Sequence, residues 1–129
     1  MLADYLARMR ILVCENNAII VMDLVDLLED LGHMPSGTAD TSDRCLELAR
    51  TIRPYLVFVD LNLDNGRTGL ALVEALAALG IPSVIVSAEA HTVPKTSSAL
   101  ACIDKPFSAA VIEATLKHLS PPTAAASTQ

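Results

Sequence analysis

Short apolar runs alternate with stretches of helical periodicity along most of this chain. Ile11-Leu12-Val13-Cys14 has no polar interruption, as a strand covered on both faces requires. From about Ala18, the residues Ile20, Leu24, Leu27, Leu28 and Leu31 recur at helical spacing opposite a row of acids. Gly32 then stands where a helix ends. Met34 to Ala39 reads as a weaker strand; Pro35, which has no N–H to donate, predicts an edge position for it. Residues 42–52 form a second helix with Cys45, Leu48, Ala49 and Ile52 inward and Pro54 stopping it. Leu56-Val57-Phe58-Val59 is the clearest buried strand. Past the polar turn Asn65-Gly66-Arg67-Thr68-Gly69, a third helix carries Leu72, Val73, Leu76 and Leu79 to Gly80. Ser83-Val84-Ile85-Val86 is a strand ending at Ser87. The segment from Glu89 to Leu100 has little periodicity and contains Pro94, which predicts one short helix or mostly loop. Ala101-Cys102-Ile103 is a short fifth strand. A last helix begins near Ser108, a suitable N-cap, and turns Val111, Ile112, Thr115, Leu116 and Leu119 towards the core.

Five such strand–helix units predict an α/β fold, a parallel sheet with helices on both faces. One domain over residues 10–120 is expected. Residues 1–9 form a short N-terminal extension with Leu2, Tyr5, Leu6 and Met9 on one face. Residues 121–129, which open on Pro121-Pro122, form a flexible tail or linker stub. A chain of 129 residues that is 52% hydrophobic fits one domain and needs neither metal nor disulfide to hold a core.

Charge narrows the partners. With 9 Lys+Arg against 15 Asp+Glu the formal charge is -6, which argues against nucleic acid and against an anionic membrane surface. No apolar run approaches the ~20 residues of a membrane helix, and no secretory pattern opens the chain. Cys14, Cys45 and Cys102 are odd in number and lack metal-ligand spacing, so all three are expected as small apolar residues in a cytoplasmic, reduced protein. His33, His91 and His118 are isolated and are expected at the surface or its boundary.

In an open parallel sheet, ligands bind beyond the carboxyl ends of the strands. The first strand delivers Glu15, Asn16 and Asn17 there, the third Asp60, the fourth Ser87 and the fifth Lys105. Together these groups suit phosphoryl transfer to a carboxylate, with Asp60 as the nucleophile. Such a reaction needs neutralised charge more than covalent assistance. Magnesium would take oxygens from Glu15, Asp60, Asn16 and the carbonyl of Asn62. Lys105 would pair with the phosphoryl oxygens, and the Ser87 hydroxyl would donate to another and report phosphorylation.

At this point the chain resembles the receiver domain of bacterial two-component response regulators. The matching pieces are Ile11-Leu12-Val13-Cys14-Glu15-Asn16, the run from Pro54 through Asp60 to Leu63, Gly69-Leu70, the run from Ile81 through Ser87 to Ala88, and Asp104-Lys105-Pro106-Phe107. The likeness covers residues 10 to about 119. It implies a flavodoxin-like three-layer sandwich with strand order 2-1-3-4-5. It also implies a histidine kinase or histidine phosphotransfer protein as donor to Asp60, an unknown downstream protein, and a monomer or weak homodimer. Such a domain is a signalling module, not an enzyme beyond its own phosphorylation and dephosphorylation. The short turn after Leu63 and the compressed fourth unit, with its shortened fourth helix, most resemble an alphaproteobacterial subgroup tied to general stress signalling.

Departures from the family pattern accompany the matches. The family usually places two acids after the first strand, and here the second is Asn16; metal affinity should fall accordingly. An aromatic expected three residues before the lysine is Cys102. Plainer roles compete at several positions. Asn17 is better read as a helix N-cap, and Asn16 suits either cap or ligand. Asp64 and Asp104 are expected in solvent, as is Arg67. A phosphorylation-independent pseudo-receiver is the alternative reading, motivated by Asn16 and Cys102. An aspartyl-nucleophile phosphatase would want a second acid where Asn62 stands, and a flavin site would not place Glu15 against phosphate.

Overall fold

In the computed structural model, residues 8–63, 66 and 68–119 are described. Of the helical extension expected over 1–9, residues 1–7 lie outside them, as do the tail at 121–129 and the solvent positions of Asp64 and Arg67, while Met9 is not helical and is buried in the core. The strands are β1 (Arg10–Cys14), β2 (Met34–Ala39), β3 (Leu56–Val59), β4 (Ser83–Ser87) and β5 (Ala101–Asp104). The helices are α1 (Ala18–Asp30), α2 (Ser42–Ile52), α3 (Gly69–Ala78) and α4 (Ala109–Leu119). All pairings are parallel and the order is β2-β1-β3-β4-β5.

Strand alternation divides the core in two. Ile11 and Val13, Leu56 and Phe58, Val84 and Val86, and Ile103 face Leu24 and Leu28 of α1 and Ile112 and Leu116 of α4. Their sequence neighbours Leu12 and Cys14, Val57 and Val59, and Ile85 face Cys45 and Ala49 of α2 and Leu72, Val73 and Leu76 of α3. The uninterrupted apolar runs of β1 and β3 are thus explained, because each of their faces meets a helix layer. β2 does lie at an edge. Opposite Ile11 and Leu12 its register skips Ser36, a bulge beside Pro35 at which the missing donor is tolerated.

The helix ends follow the sequence signals. Asn17 Oδ1 accepts from the N–H groups of Ile19 and Ile20, so it is the N-cap of α1. Gly32 and Gly80 turn the chain at φ 89° and 77° just past α1 and α3, where a β-carbon would be strained. Ser108 caps α4 by accepting from Val111 N–H at 3.2 Å.

Two of three expectations need correction. Val111 is 47% exposed: it lies off the stripe of Ile112 and Leu116 that meets the sheet. Between β4 and β5 the only helical element among the described residues is a single 3₁₀ turn, Ala90–Thr92, so this crossover is mostly loop, one of the two forms expected of it. Cys14 and Cys45 are not two separate apolar side chains. They are joined by a disulfide, leaving Cys102 free and exposed on β5. Cys14 ends β1 and Cys45 lies on the inward stripe of α2, so the order of the sheet brings them together on one face, which spacing in the sequence does not reveal. Among the described residues, no helix is long and apolar enough to cross a membrane.

Candidate functional site

The parallel ladder continues one rung beyond the strands and carries the candidate residues with it. Glu15 N–H donates to the Ala39 carbonyl, Asp60 N–H to the Cys14 carbonyl at 2.9 Å, and Lys105 N–H to the Ser87 carbonyl at 3.1 Å. Backbone pairing therefore fixes Glu15, Asp60, Ser87 and Lys105 at one edge of the sheet. Lys105 precedes Pro106 through a cis peptide bond.

Three charged side chains meet there. Lys105 Nζ lies 2.6 Å from Glu15 Oε1 and 3.4 Å from Asp60 Oδ2. Glu15 is 3% and Asp60 6% exposed, so both carboxylates are held largely out of water. The second Glu15 oxygen accepts from Asn17 N–H at 3.0 Å, and Asp60 Oδ1 accepts from Asn62 N–H at 3.3 Å. Burial raises the Asp60 carboxyl above its ordinary pKa, and the neighbouring Glu15 charge adds to the rise. Lys105 and the Asn62 amide oppose it without reversing it. Two acids share one ammonium, and the niche is short of positive charge.

The remaining candidates divide. Ser87 is fully buried and its Oγ accepts from Glu89 N–H at 3.1 Å. Asn62 is exposed, and its amide donates to Glu89 Oε1 at 3.1 Å across the mouth of the site. Asn16 is exposed on the rim of a groove that it lines with Glu15, Asp40 and Arg44, one residue away from the Asn17 cap. Sequence reasoning missed Glu89, which bridges two loops, and its place two residues after Ser87 was the available signal. It also missed the role of Gly69. A β-carbon there would stand 2.3 Å from the Asp60 carbonyl oxygen and 2.6 Å from Leu61 Cα, so only glycine lets α3 start against the backbone of Asp60.

Among the described residues, no group of three or more His, Cys, Asp or Glu side chains is arranged to hold a metal. The donor set nonetheless fits a magnesium ion, which binds through one or two carboxylates and keeps waters or phosphate oxygens for its other positions. Glu15 and Asp60 supply those two carboxylates, and the raised Asp60 pKa marks a place where added positive charge is favourable.

A doubly wound sheet with this edge chemistry defines the class. Residues 11–117 match the response regulator receiver domain family, and the chain belongs to it. It is 32% identical over 112 residues to the phyllosphere-induced regulator PhyR of Methylorubrum extorquens, covering 84% of this chain and 42% of that protein. The chain therefore spans less than half the length of that relative. The solution structure of SdrG from Sphingomonas melonis superposes with a TM-score of 0.75 at 31% identity, covering 88% of this chain and 97% of that one. The PhyR receiver domain of Erythrobacter litoralis gives 0.76 at 25% identity, covering 92% and 97%. These likenesses support a divergent receiver of the alphaproteobacterial type.

Proposed function

We propose that this receiver accepts a phosphoryl group on Asp60 from a histidine kinase or a histidine phosphotransfer protein, and signals through protein–protein contacts of one domain spanning residues 10–120. The observation that supports it best is the meeting of Glu15, Asp60 and Lys105, the first and last of them 90 residues apart in the chain, in one buried niche. An Asp60 carboxylate oxygen attacks phosphorus as the bond to the donor imidazole breaks. Lys105, already 3.4 Å from Asp60, pairs with the incoming phosphoryl oxygens, and the buried Ser87 hydroxyl turns from Glu89 N–H to donate to one of them. Glu15 and Asp60 would hold magnesium, with Asn16 and the Asn62 carbonyl as further oxygens. When bound, the ion supplies charge neutralisation for the transferred group. The kinship with PhyR, described in one solved structure at 26% identity as a stress response regulator, supports a place in stress signalling.

Addition of beryllofluoride with magnesium to the parent should shift the amide resonances of Asp60, Ser87 and Lys105, and the shifts should vanish in Asp60→Asn. An unchanged parent spectrum at high magnesium refutes the proposal. It would favour a phosphorylation-independent interaction module, the reading that the small acid count of the niche supports.

A further inference from the structure

We propose that Cys14 and Cys45 form a thiol–disulfide exchange site whose redox state sets the arrangement of Glu15 and Asp60. The pair spans 31 residues of chain, and its Cα atoms are 6.2 Å apart, within the usual range for a disulfide. Both residues are sealed in the core between the sheet and α2, at 1% and 0% exposure.

Cys14 sits between the two acids. Glu15 follows it directly, and its own carbonyl accepts the Asp60 N–H. Cys45 belongs to the helix that begins on the other side of the site. At the start of that helix, Ser42 Oγ donates to Thr68 Oγ1 at 2.8 Å, and Thr68 Oγ1 donates to the Leu63 carbonyl, three residues past Asp60. The crosslink thus closes a circuit from β1 through α2 to the loop behind Asp60. Two thiols need more room than a bonded pair, because non-bonded sulfurs stay at van der Waals separation. Both cysteines are buried among the side chains of the layer between the sheet and α2, so the parting of the sulfurs on reduction is passed to the end of β1 or to α2, and with it to Glu15 and the partner of the Asp60 N–H.

The oxidant belongs to the class of small-molecule disulfides. One cysteine thiolate attacks such a disulfide and releases one thiolate. The second cysteine then attacks the mixed disulfide and releases the other. The chain loses two electrons and two protons, and the small disulfide is reduced to two thiols. Since both sulfurs are buried, exchange needs α2 to lift locally, and the site responds slowly and holds its state.

The test does not rest on phosphoryl transfer. The full chain is equilibrated with reduced or oxidised glutathione, its thiols are counted after denaturation, and its amide resonances are recorded. Oxidation should lower the count from three thiols to one and map the bridge to Cys14 and Cys45. Glu15 and Asp60 should show different amide shifts in the two states. Cys102→Ser should keep this response, and Cys45→Ala should lose it; if Cys45→Ala does not fold, comparing the two states of the parent decides alone. Three thiols in every glutathione mixture, a bridge that includes Cys102, or identical Glu15 and Asp60 resonances in both states would each overturn the proposal.

Discussion

Replacing Asp60 with Asn should stabilise the protein at neutral pH. At 3.4 Å, the attraction of Lys105 for Asp60 is about 5 kcal/mol at an effective dielectric constant of about 20. Glu15 touches the same ammonium and repels Asp60 by a comparable amount, so the charges nearly cancel and the cost of burying a second carboxylate decides. In Asp60→Asn that cost disappears. The amide oxygen still accepts from Asn62 N–H, and the amide N–H₂ gives Glu15 a donor in place of a like charge. A gain of about 1–2 kcal/mol follows from comparable replacements of buried ions, or about 5 °C in Tm for a domain of this size. The pH dependence carries the sign. Asp60 is raised, so between the ordinary carboxylate range and its folded value the folded state holds a proton that the unfolded chain releases. Stability of the parent falls as pH rises through that window, and the variant lacks this contribution. Urea unfolding should therefore show nearly equal stability at about pH 4 and a gap that widens with pH until Asp60 is ionised. A less stable variant at pH 7, or a gap independent of pH, refutes the reasoning.

Three further outcomes are expected. Gly69→Ala should cost about 1–3 kcal/mol in urea unfolding, because its β-carbon overlaps the Asp60 peptide, and should slow phosphorylation by acetyl phosphate more than stability loss alone would. Lys105→Met should destabilise by about 3 kcal/mol at pH 7 by leaving Glu15 and Asp60 without their cation; the loss should shrink at about pH 5, where one acid can take a proton, and a constant loss would argue against the shared ion pair. His33 Nδ1 accepts the Met9 N–H at 3.1 Å only when neutral, and burial, then the Arg8 charge, hold its pKa below the ordinary value. Its contribution is complete above the unfolded value of about 6.5 and is lost as pH falls through it towards the folded value, so His33→Phe should flatten that part of the stability profile by up to about 1 kcal/mol.

The strands and their carboxyl ends were legible because apolar runs covered on both faces leave no alternative period, and each run stops at a polar residue. That punctuation pointed to Glu15, Asp60 and Ser87, while Lys105, one residue past the end of its strand, rested also on the resemblance of Asp104-Lys105-Pro106-Phe107 to a family motif. Other features depend on what stands opposite in space. Cys14 and Cys45 are inward residues of different elements, and only strand order makes them neighbours. Val111 fits the helical stripe by spacing yet falls outside the narrow face that α4 presents to β4 and β5. The need for glycine at 69 arises from the backbone of Asp60 nine residues earlier, which no local pattern records.

The ammonium on Glu15 makes the site an ion exchanger that carries one of its own ions on a tether. Because Lys105 Nζ is held 2.6 Å from Oε1 by its own chain, its local concentration there is far above that of any dissolved cation. A divalent ion drawn to this oxygen would have to compete with the tethered lysine for it. With its backbone anchored beside Ser87 and its Nζ 3.4 Å from Asp60, an ammonium displaced from Glu15 would stay within reach of an anion at Asp60.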